Sequence, residues 1–528
     1  MTTAEPAVID CVVVGAGPVG LVTALLLAGR GHSVTVIERW PQRYPMPRAC
    51  TIDHEALRIL QAAGVMSEHS DLFEPSRGER GGYQVRNAAG TLLLAFDWNR
   101  TAESGWANTN GFYQPDLEDV LEAIAGDLPG IEIRRGWAVT DVVDTGNAVD
   151  VHITSTTEES SRDQLRASWV VAADGANSVV RTLLGIDSID SGFEADWLVA
   201  DYRPIIDREW DAFVTQYCDP AQPATAVNSG PGRRRFEFMR PAGMSAQELG
   251  RPETAWRLMS PWGVTPANSN LERHAVYTFR GRWAQTWRRG RVLLAGDAAH
   301  LMPPFLGQGL CAGLRDARSL SWRLSLVLDG LADSTILDSY ETERTAHVQE
   351  IIEEAVAIGR VICEVDPERV AQRDARMIAE LTALEGAAVE PPHPRLGDPS
   401  LTYGSSDAEG RLCVQGRVVL GGRVGLFDDL IGGTWQLIGV DVEPAELLDE
   451  QTLQWFRQLG GSVTRVSRGG LVDDIDATYE TWFAEHGCEV VLSRPDFYVY
   501  FAGSATQLSG AMQSLATTVR HSAQPINS

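Results

Sequence analysis

The sequence predicts an α/β fold of more than one domain, opening on a Rossmann-like βαβ unit and closing on a separate C-terminal domain. Three observations carry this. An apolar strand around Ile9 to Val14 runs into Gly15-Ala16-Gly17-Pro18-Val19-Gly20, a helix from about Val19 to Ala28, and a strand from Val34 to Ile37 that ends on Glu38. Buried-strand patterns that break into polar turns recur from Val170 to Arg181 and from Arg291 to His300. A stretch from about Glu385 to Ser406, with Pro391, Pro392, Pro394 and Pro399, reads as a linker, and a fresh set of strands and helices follows it.

At 528 residues the chain exceeds one compact core and suits roughly two to four folding units. Helix-like and strand-like stretches alternate up to about Gly290, and a long helical region runs from near Gly309, with breaks, to about Leu384. These patterns divide the chain into a region 1–385, a linker 386–406 and a C-terminal domain 407–528, with a second domain interleaved in the first, mainly at about 80–110 and 187–285.

A net charge of −26 disfavours nucleic acid and anionic membrane surfaces as partners. No segment reaches the roughly 18 unbroken apolar residues of a spanning helix, and Glu5 and Asp10 flank the first apolar run without a basic leader, so no secretory signal is expected. The chain holds no lysine, and all 45 basic residues are arginine. That excludes Schiff-base and P-loop lysine chemistry. Cys11, Cys50, Cys218, Cys311, Cys363, Cys413 and Cys488 are odd in number and form no CxxC pair. They read as reduced thiols of a cytoplasmic protein.

The glycine turn has a mechanism. Gly15 permits the tight bend, Gly17 lets the backbone approach a pyrophosphate, and Gly20 lets the helix pack on the strand, while the helix N-terminus that Pro18 opens favours the anion. Glu38 can accept bonds from ribose hydroxyls. In the second segment Asp174 opens a polar turn, and its bland alternative is a helix cap by Asp174 or Ser178. In the third, Gly296-Asp297 ends an apolar strand where a carboxylate can bind polyol hydroxyls, and Pro303-Pro304-Phe305-Leu306-Gly307-Gln308-Gly309-Leu310 leads into a helix.

In this order and spacing the three motifs resemble the class A flavoprotein aromatic hydroxylases, the para-hydroxybenzoate hydroxylase group, over roughly residues 8–360. The resemblance implies a Rossmann-like FAD-binding domain with an interleaved mixed-sheet substrate domain. It also implies an FAD monooxygenase that takes NADH or NADPH and O2 and hydroxylates a phenol through a C4a-hydroperoxyflavin. Glu38-Arg39-Trp40, Pro47-Arg48-Ala49, Ile52-Asp53-His54-Glu55, Gln216 to Pro220, Arg234 to Met239 and Pro303 to Gly313 are similar to the 3-(3-hydroxyphenyl)propionate hydroxylases. Arg494-Pro495-Asp496-Phe497-Tyr498 resembles the thioredoxin-like tail of that subgroup, and the absence of CxxC argues against a redox role for it. A tail of this type packs in dimers in some relatives, so the resemblance leaves a homodimer open.

By the same resemblance Asp297 would hold the ribityl chain, the backbone at Gly309 and Leu310 would stabilise charge on the flavin, and Asp174 would lie in a segment shared by FAD and NAD(P)H. Arg39, Arg48, Gln114, Gly296, Pro304 and Gly307 fall at cofactor positions, with Pro304 shaping the wall beside the reacting ring. The site must deprotonate the phenol, exclude water and hold the ring. His54 could relay the phenol proton, with an equal claim for a histidine on an exposed helix turn. Arg234 or Arg235, of which strand alternation points only one inward, could bind a substrate carboxylate. Tyr217, Phe236 and Phe238 could line the ring pocket, against the usual fate of such aromatics in a core. His300 reads as structural. The competing functions are tailoring of a polycyclic natural-product phenol, a non-hydroxylating flavin oxidoreductase, and a non-catalytic flavoprotein. A lysine-dependent flavin halogenase is excluded by composition.

Overall fold

The computed structural model describes residues 8–521 apart from 77–81, 159–160, 207–208, 211, 385–395, 397–400, 405 and 433. The four linker prolines lie outside the described residues. Strand Ile9–Val14 and helix Pro18–Ala28 form as the pattern predicts, and the second strand extends by one residue to Val34–Glu38. The first strand is the centre of a parallel sheet because both its faces are apolar. Arg162–Ala172 pairs on one side and Val34–Glu38 on the other, and Val292–Leu294 and Ile131–Arg135 extend it outward. The carboxyl ends of these strands deliver Gly15, Asp174 and Gly296 to one edge, where such sheets bind ligands.

A second sheet is mixed. Its order runs from His300–Leu301 through Ser269–Ala284, Ser188–Pro204, Arg234–Met239, Ala224–Asn228, Val214–Cys218 and Tyr83–Asn87 to Leu92–Phe96. Much of the region read as alternating helix and strand is therefore strand. The sequence misleads there because both faces are buried along the middle strands Val214–Cys218, Ala224–Asn228 and Arg234–Met239, which erases the polar-apolar alternation that marks a half-exposed strand. One face carries Leu198, Phe236 and Phe238 against Leu249, Leu258 and Met259 of two short helices. The other meets the helix Asp338–Ile362, whose Gly359 lies so close to Phe305 and Phe193 that a side chain would collide with their rings.

The helical region resolves into Gly309–Leu328, Asp338–Ile362 and Pro367–Ala383. The C-terminal part has a thioredoxin-like order: Gln436–Val440 runs parallel to Ser462–Val466 and antiparallel to Val490–Ser493, which pairs with Val499–Gly503. It is bound to the rest by buried charge. Arg494 meets Glu343 through two 2.7 Å bonds and also holds Asp496, Arg323 joins both carboxylates, and Trp322 Nε1 donates to Asp496 at 3.0 Å.

Glu343→Ala leaves Arg323 and Arg494 facing each other with one carboxylate between them. It is expected to lower stability by about 3–5 kcal/mol in urea titration, whereas Arg417→Ala, which breaks an exposed pair with Asp476, should leave the midpoint where it was.

Candidate active site

The nucleotide end is built around glycine. Gly15 adopts φ +107° against the Ala173 carbonyl, and Gly20 packs so closely on the Gly15 carbonyl that neither position can carry a Cβ. At Gly17 the space is open. Gly17 is also the N-cap of the first helix and no side chain caps it, so the helix N-terminus faces that opening. The Glu38 carboxylate is held at the rim by Ala16 N–H and Trp40 N–H, both at 2.9 Å, and Arg39 lies over the exposed Trp40 ring. A helix terminus without a cap, a cradle a Cβ would fill and a fixed carboxylate fit the adenosine pyrophosphate of FAD.

Asp174 has a different task from the ligand contact that the resemblance implies. Its carboxylate accepts from Ser178 Oγ at 2.5 Å and from the Val179 and Val180 N–H groups at 2.7 and 3.1 Å, so it caps the following helix and steadies the turn against Gly15. Asp297 follows Gly296 at the carboxyl end of strand Val292–Leu294, with its side chain exposed. The turn at Gly296 is fixed by Asp316, which accepts from Gly296 N–H at 2.9 Å. His300 bonds the same carboxylate at 2.7 Å and is structural. Burial would raise Asp316, but His300 and Arg344 hold it low and ionised.

Further along, Gln114 Oε1 accepts from the Arg48 and Ala49 N–H groups at 3.2 and 2.8 Å and so pins the loop Pro47–Cys50. Gly307 takes φ +67° and backs onto the Thr51 hydroxyl, which brings the Pro304–Gly307 turn against strand Thr51–Asp53. Gly309 and Leu310 open the helix Gly309–Leu328 beyond it.

The substrate sheet corrects four expectations. Phe236 and Phe238 stack on one another, pack with Tyr217 against Trp262 and belong to the core on the far face. Arg235 does point inward, but Asp201 takes it by bonds of 2.6 and 3.2 Å and its remaining donors reach the Arg48 and Pro47 carbonyls, so it clamps the loop instead of receiving a carboxylate. Arg234, one residue away, points to the opposite side and is half-buried. The face toward the Pro47–Cys50 loop carries a register row that sequence reading passed over: Gln216 opposite Thr225, Thr225 opposite Glu237, Glu237 opposite Val199. All three polar side chains are buried, and Thr225 Oγ1 donates to Gln216 Oε1 at 2.5 Å. Burial pushes the Glu237 carboxyl up to about 7 against the pull of Arg235. The available signal was an acid between two phenylalanines in Arg234–Met239.

His54 is buried at 3 % exposure, not on an exposed turn. Asp53 caps the helix His54–Ala62 through Ala56 N–H, and burial would raise the Asp53 carboxyl, but Arg315 holds it at about 2. Ser104 Oγ lies 3.1 Å from His54 Nδ1, and Glu103 lies 4.0 Å from Nε2. His54 lines a cavity of about 470 Å³ that reaches Thr51, Leu306, Gly307 and Gln308 and extends to the tail at Trp482 and Tyr498.

Residues 8–355 match a family model described as "FAD binding domain", and 410–518 match one described as "HcaD C-terminal domain". The chain belongs to the class A flavoprotein aromatic hydroxylases. It is 37 % identical to a probable NADH-specific resorcinol 4-hydroxylase of Rhodococcus jostii, over 97 % of this chain and 95 % of that one. It is 30 % identical to a 3-(3-hydroxy-phenyl)propionate/3-hydroxycinnamic acid hydroxylase of Comamonas testosteroni, over 96 % of each. Among solved structures, the flavin-dependent monooxygenase PieE with FAD and substrate shares the fold, with TM-score 0.81 and 20 % identity over 98 % of this chain and 100 % of that one. Aklavinone-11 hydroxylase with FAD and aklavinone aligns with TM-score 0.75 and 25 % identity over 98 % and 100 %. The hydroxylase is thus an FAD-dependent aromatic monooxygenase. Among the described residues no helix is long and apolar enough to cross a membrane.

Two measurements check the site. Gly17→Val should purify folded but colourless, because its side chain enters the open cradle, while Gly20→Ala should lower the yield of folded protein. For Glu237 the folded state keeps its proton from the ordinary 4.5 up to about 7, so stability falls as pH rises through that window. Glu237→Gln should match the wild type at about pH 3.5, below the unfolded value, and exceed it by about 3 kcal/mol at pH 8; a difference that is flat with pH would remove Glu237 as the buried titrating group.

Proposed function

We propose that this hydroxylase acts in the cytoplasm on a small monocyclic phenol, of the resorcinol or 3-(3-hydroxyphenyl)propionate type named for its relatives, with NADH as reductant. The observation that carries the reading is the cavity of about 470 Å³ that brings the buried His54 together with Leu306, Gly307 and Gln308, and the buried row Gln216, Thr225 and Glu237 of the substrate sheet supports it. The cytoplasmic assignment rests on seven cysteines that are all free.

When bound, reduced FAD with O2 supplies an electrophilic oxygen, which no side chain of this chain offers. Gly17 and the first helix hold the pyrophosphate, Asp297 the polyol chain, and the backbone at Gly309 and Leu310 the flavin ring. Phe305, packed edge-on against Trp197 and Phe279, keeps water from the wall beside Pro304. His54 takes the phenol proton on Nε2 while Ser104 fixes the ring and the Glu103 carboxylate stabilises the imidazolium. A phenol near the row Gln216, Thr225 and Glu237 finds both donors and an acceptor.

Turnover with resorcinol or 3-(3-hydroxyphenyl)propionate should consume NADH and O2 in equal amounts and yield a product with one more hydroxyl. NADH oxidation that makes only peroxide with every phenol tried would overturn the reading. His54→Ala should lower kcat by roughly 100-fold at pH 7, with the loss shrinking as pH approaches the phenol's own pKa of about 10, where the proton has already gone.

A further inference from the structure

Asn108 is 4 % exposed, borders the cavity, and its Nδ2 has no hydrogen-bond partner among the described residues. A buried amide donor without a partner costs about 1–3 kcal/mol, and a hydroxyl brought into the cavity would satisfy it. The surrounding walls suit a ring: Phe96, Trp98 and Leu306 stand on the catalytic side, Ile351 on the helix Asp338–Ile362, and Trp482 on the tail. Phe96 and Trp98 in turn pack around Tyr83, which pairs in register with the strand that carries Gln216.

The lining is also charged in one sense. Asp53, Glu55, Glu103 and Glu485 face two guanidinium groups, those of Arg315 and Arg411, while burial and the neighbouring Glu350 push the Glu354 carboxyl up to about 7. Arg315 is shared between Asp53 and Glu55, and Arg411 is paired with Asp407. With histidines neutral the cavity is therefore net negative, and the substrate sheet's inward arginines, Arg235 and Arg273, share Asp201 and are not part of its lining.

Resting on the phenol hydroxylase reading above, we propose that this cavity, walled jointly by the catalytic region and the tail, is the holding site for the incoming phenol and selects by charge: an uncharged hydroxylated ring is admitted, with Asn108 donating to its hydroxyl, and a carboxylate-bearing ring is disfavoured. The tail acts here as a wall and as a source of negative charge through Glu485.

The test compares three probes on the holoenzyme: resorcinol, 3-(3-hydroxyphenyl)propionate and the methyl ester of that acid, which keeps its bulk without its charge. Resorcinol and the ester should each exceed the acid in kcat/KM by roughly tenfold at low salt, with the gap between ester and acid closing at high salt. Glu103→Gln with Glu485→Gln should narrow the ester-to-acid ratio, and Asn108→Leu should raise the KM for resorcinol several-fold more than it lowers kcat. An acid used as well as its ester, at a ratio that neither salt nor the double variant moves, would overturn the proposal while leaving the hydroxylase reading intact. Absence of coupled hydroxylation with all three probes would instead defeat both. Because the salt dependence is read on the unaltered enzyme, a variant that fails to fold leaves the test decisive.

Discussion

A guanidinium taken out of water loses several kcal/mol of solvation unless partners are supplied at fixed positions, and the helix Gly309–Leu328 buries Arg315 and Arg323 with Asp316 among them. Their partners are the parts of the active region. Asp316 holds the Gly296 turn and Arg344. Arg315 holds Asp53 and Glu55, the residues on either side of His54, and Glu55 accepts from the tail's Tyr498 hydroxyl at 2.9 Å. Arg323 holds Glu343 and, through it, Arg494 of the tail. One helix that opens at Gly309 thus sets the Gly296 turn, the His54 segment and the tail against one another. The complete use of arginine suits this, since a rigid planar fork of five N–H donors can hold two carboxylates in fixed bidentate geometry, where an ammonium offers three donors from a single point.

The same web assigns the tail a structural relation to the site in place of a redox one. Cys413 and Cys488 are buried, and burial pushes their thiols up to about 11 and about 12, well away from a reactive thiolate. The tail instead reaches beneath the catalytic region: Arg58 of the helix His54–Ala62 donates to Asp428 and to the Cys413 carbonyl. The element that carries His54 is therefore clamped at both ends by side chains from beyond the linker.

How much of this was legible in the sequence follows from the range of each interaction. Gly15, Gly17, Gly20 and Glu38 act within one βαβ unit, and the local pattern located them. Asp174 acts within six residues, and its capping role was visible as the plainer of two readings. Strand alternation separated Arg235 and Glu237 from Phe236 and Phe238, but with both faces of the sheet buried nothing local says which one meets the cofactor. Burial of His54 depends on Ser104, Glu103 and the tail's cover, and the bond between Tyr498 and Glu55 spans 443 positions. Contacts of that range leave no periodic trace.

An acidic chain that binds a dianionic pyrophosphate has an electrostatic difficulty, and the site resolves it with neutral donors. At physiological salt a charge more than about 8 Å away is largely screened, so most of the −26 does not reach the cradle. What acts there is the uncapped helix N-terminus above Gly17, whose dipole offers about half a positive charge, and the two carboxylates beside the turn are already occupied, Glu38 by the Ala16 and Trp40 N–H groups and Asp174 by Ser178 and the Val179 and Val180 N–H groups. The carboxylates beside His54 are different: Glu103 is 42 % exposed and Glu485 is exposed, so they act on an incoming ring from within a screening length, and the proposed discrimination between charged and uncharged rings rests on side chains at the junction with the tail.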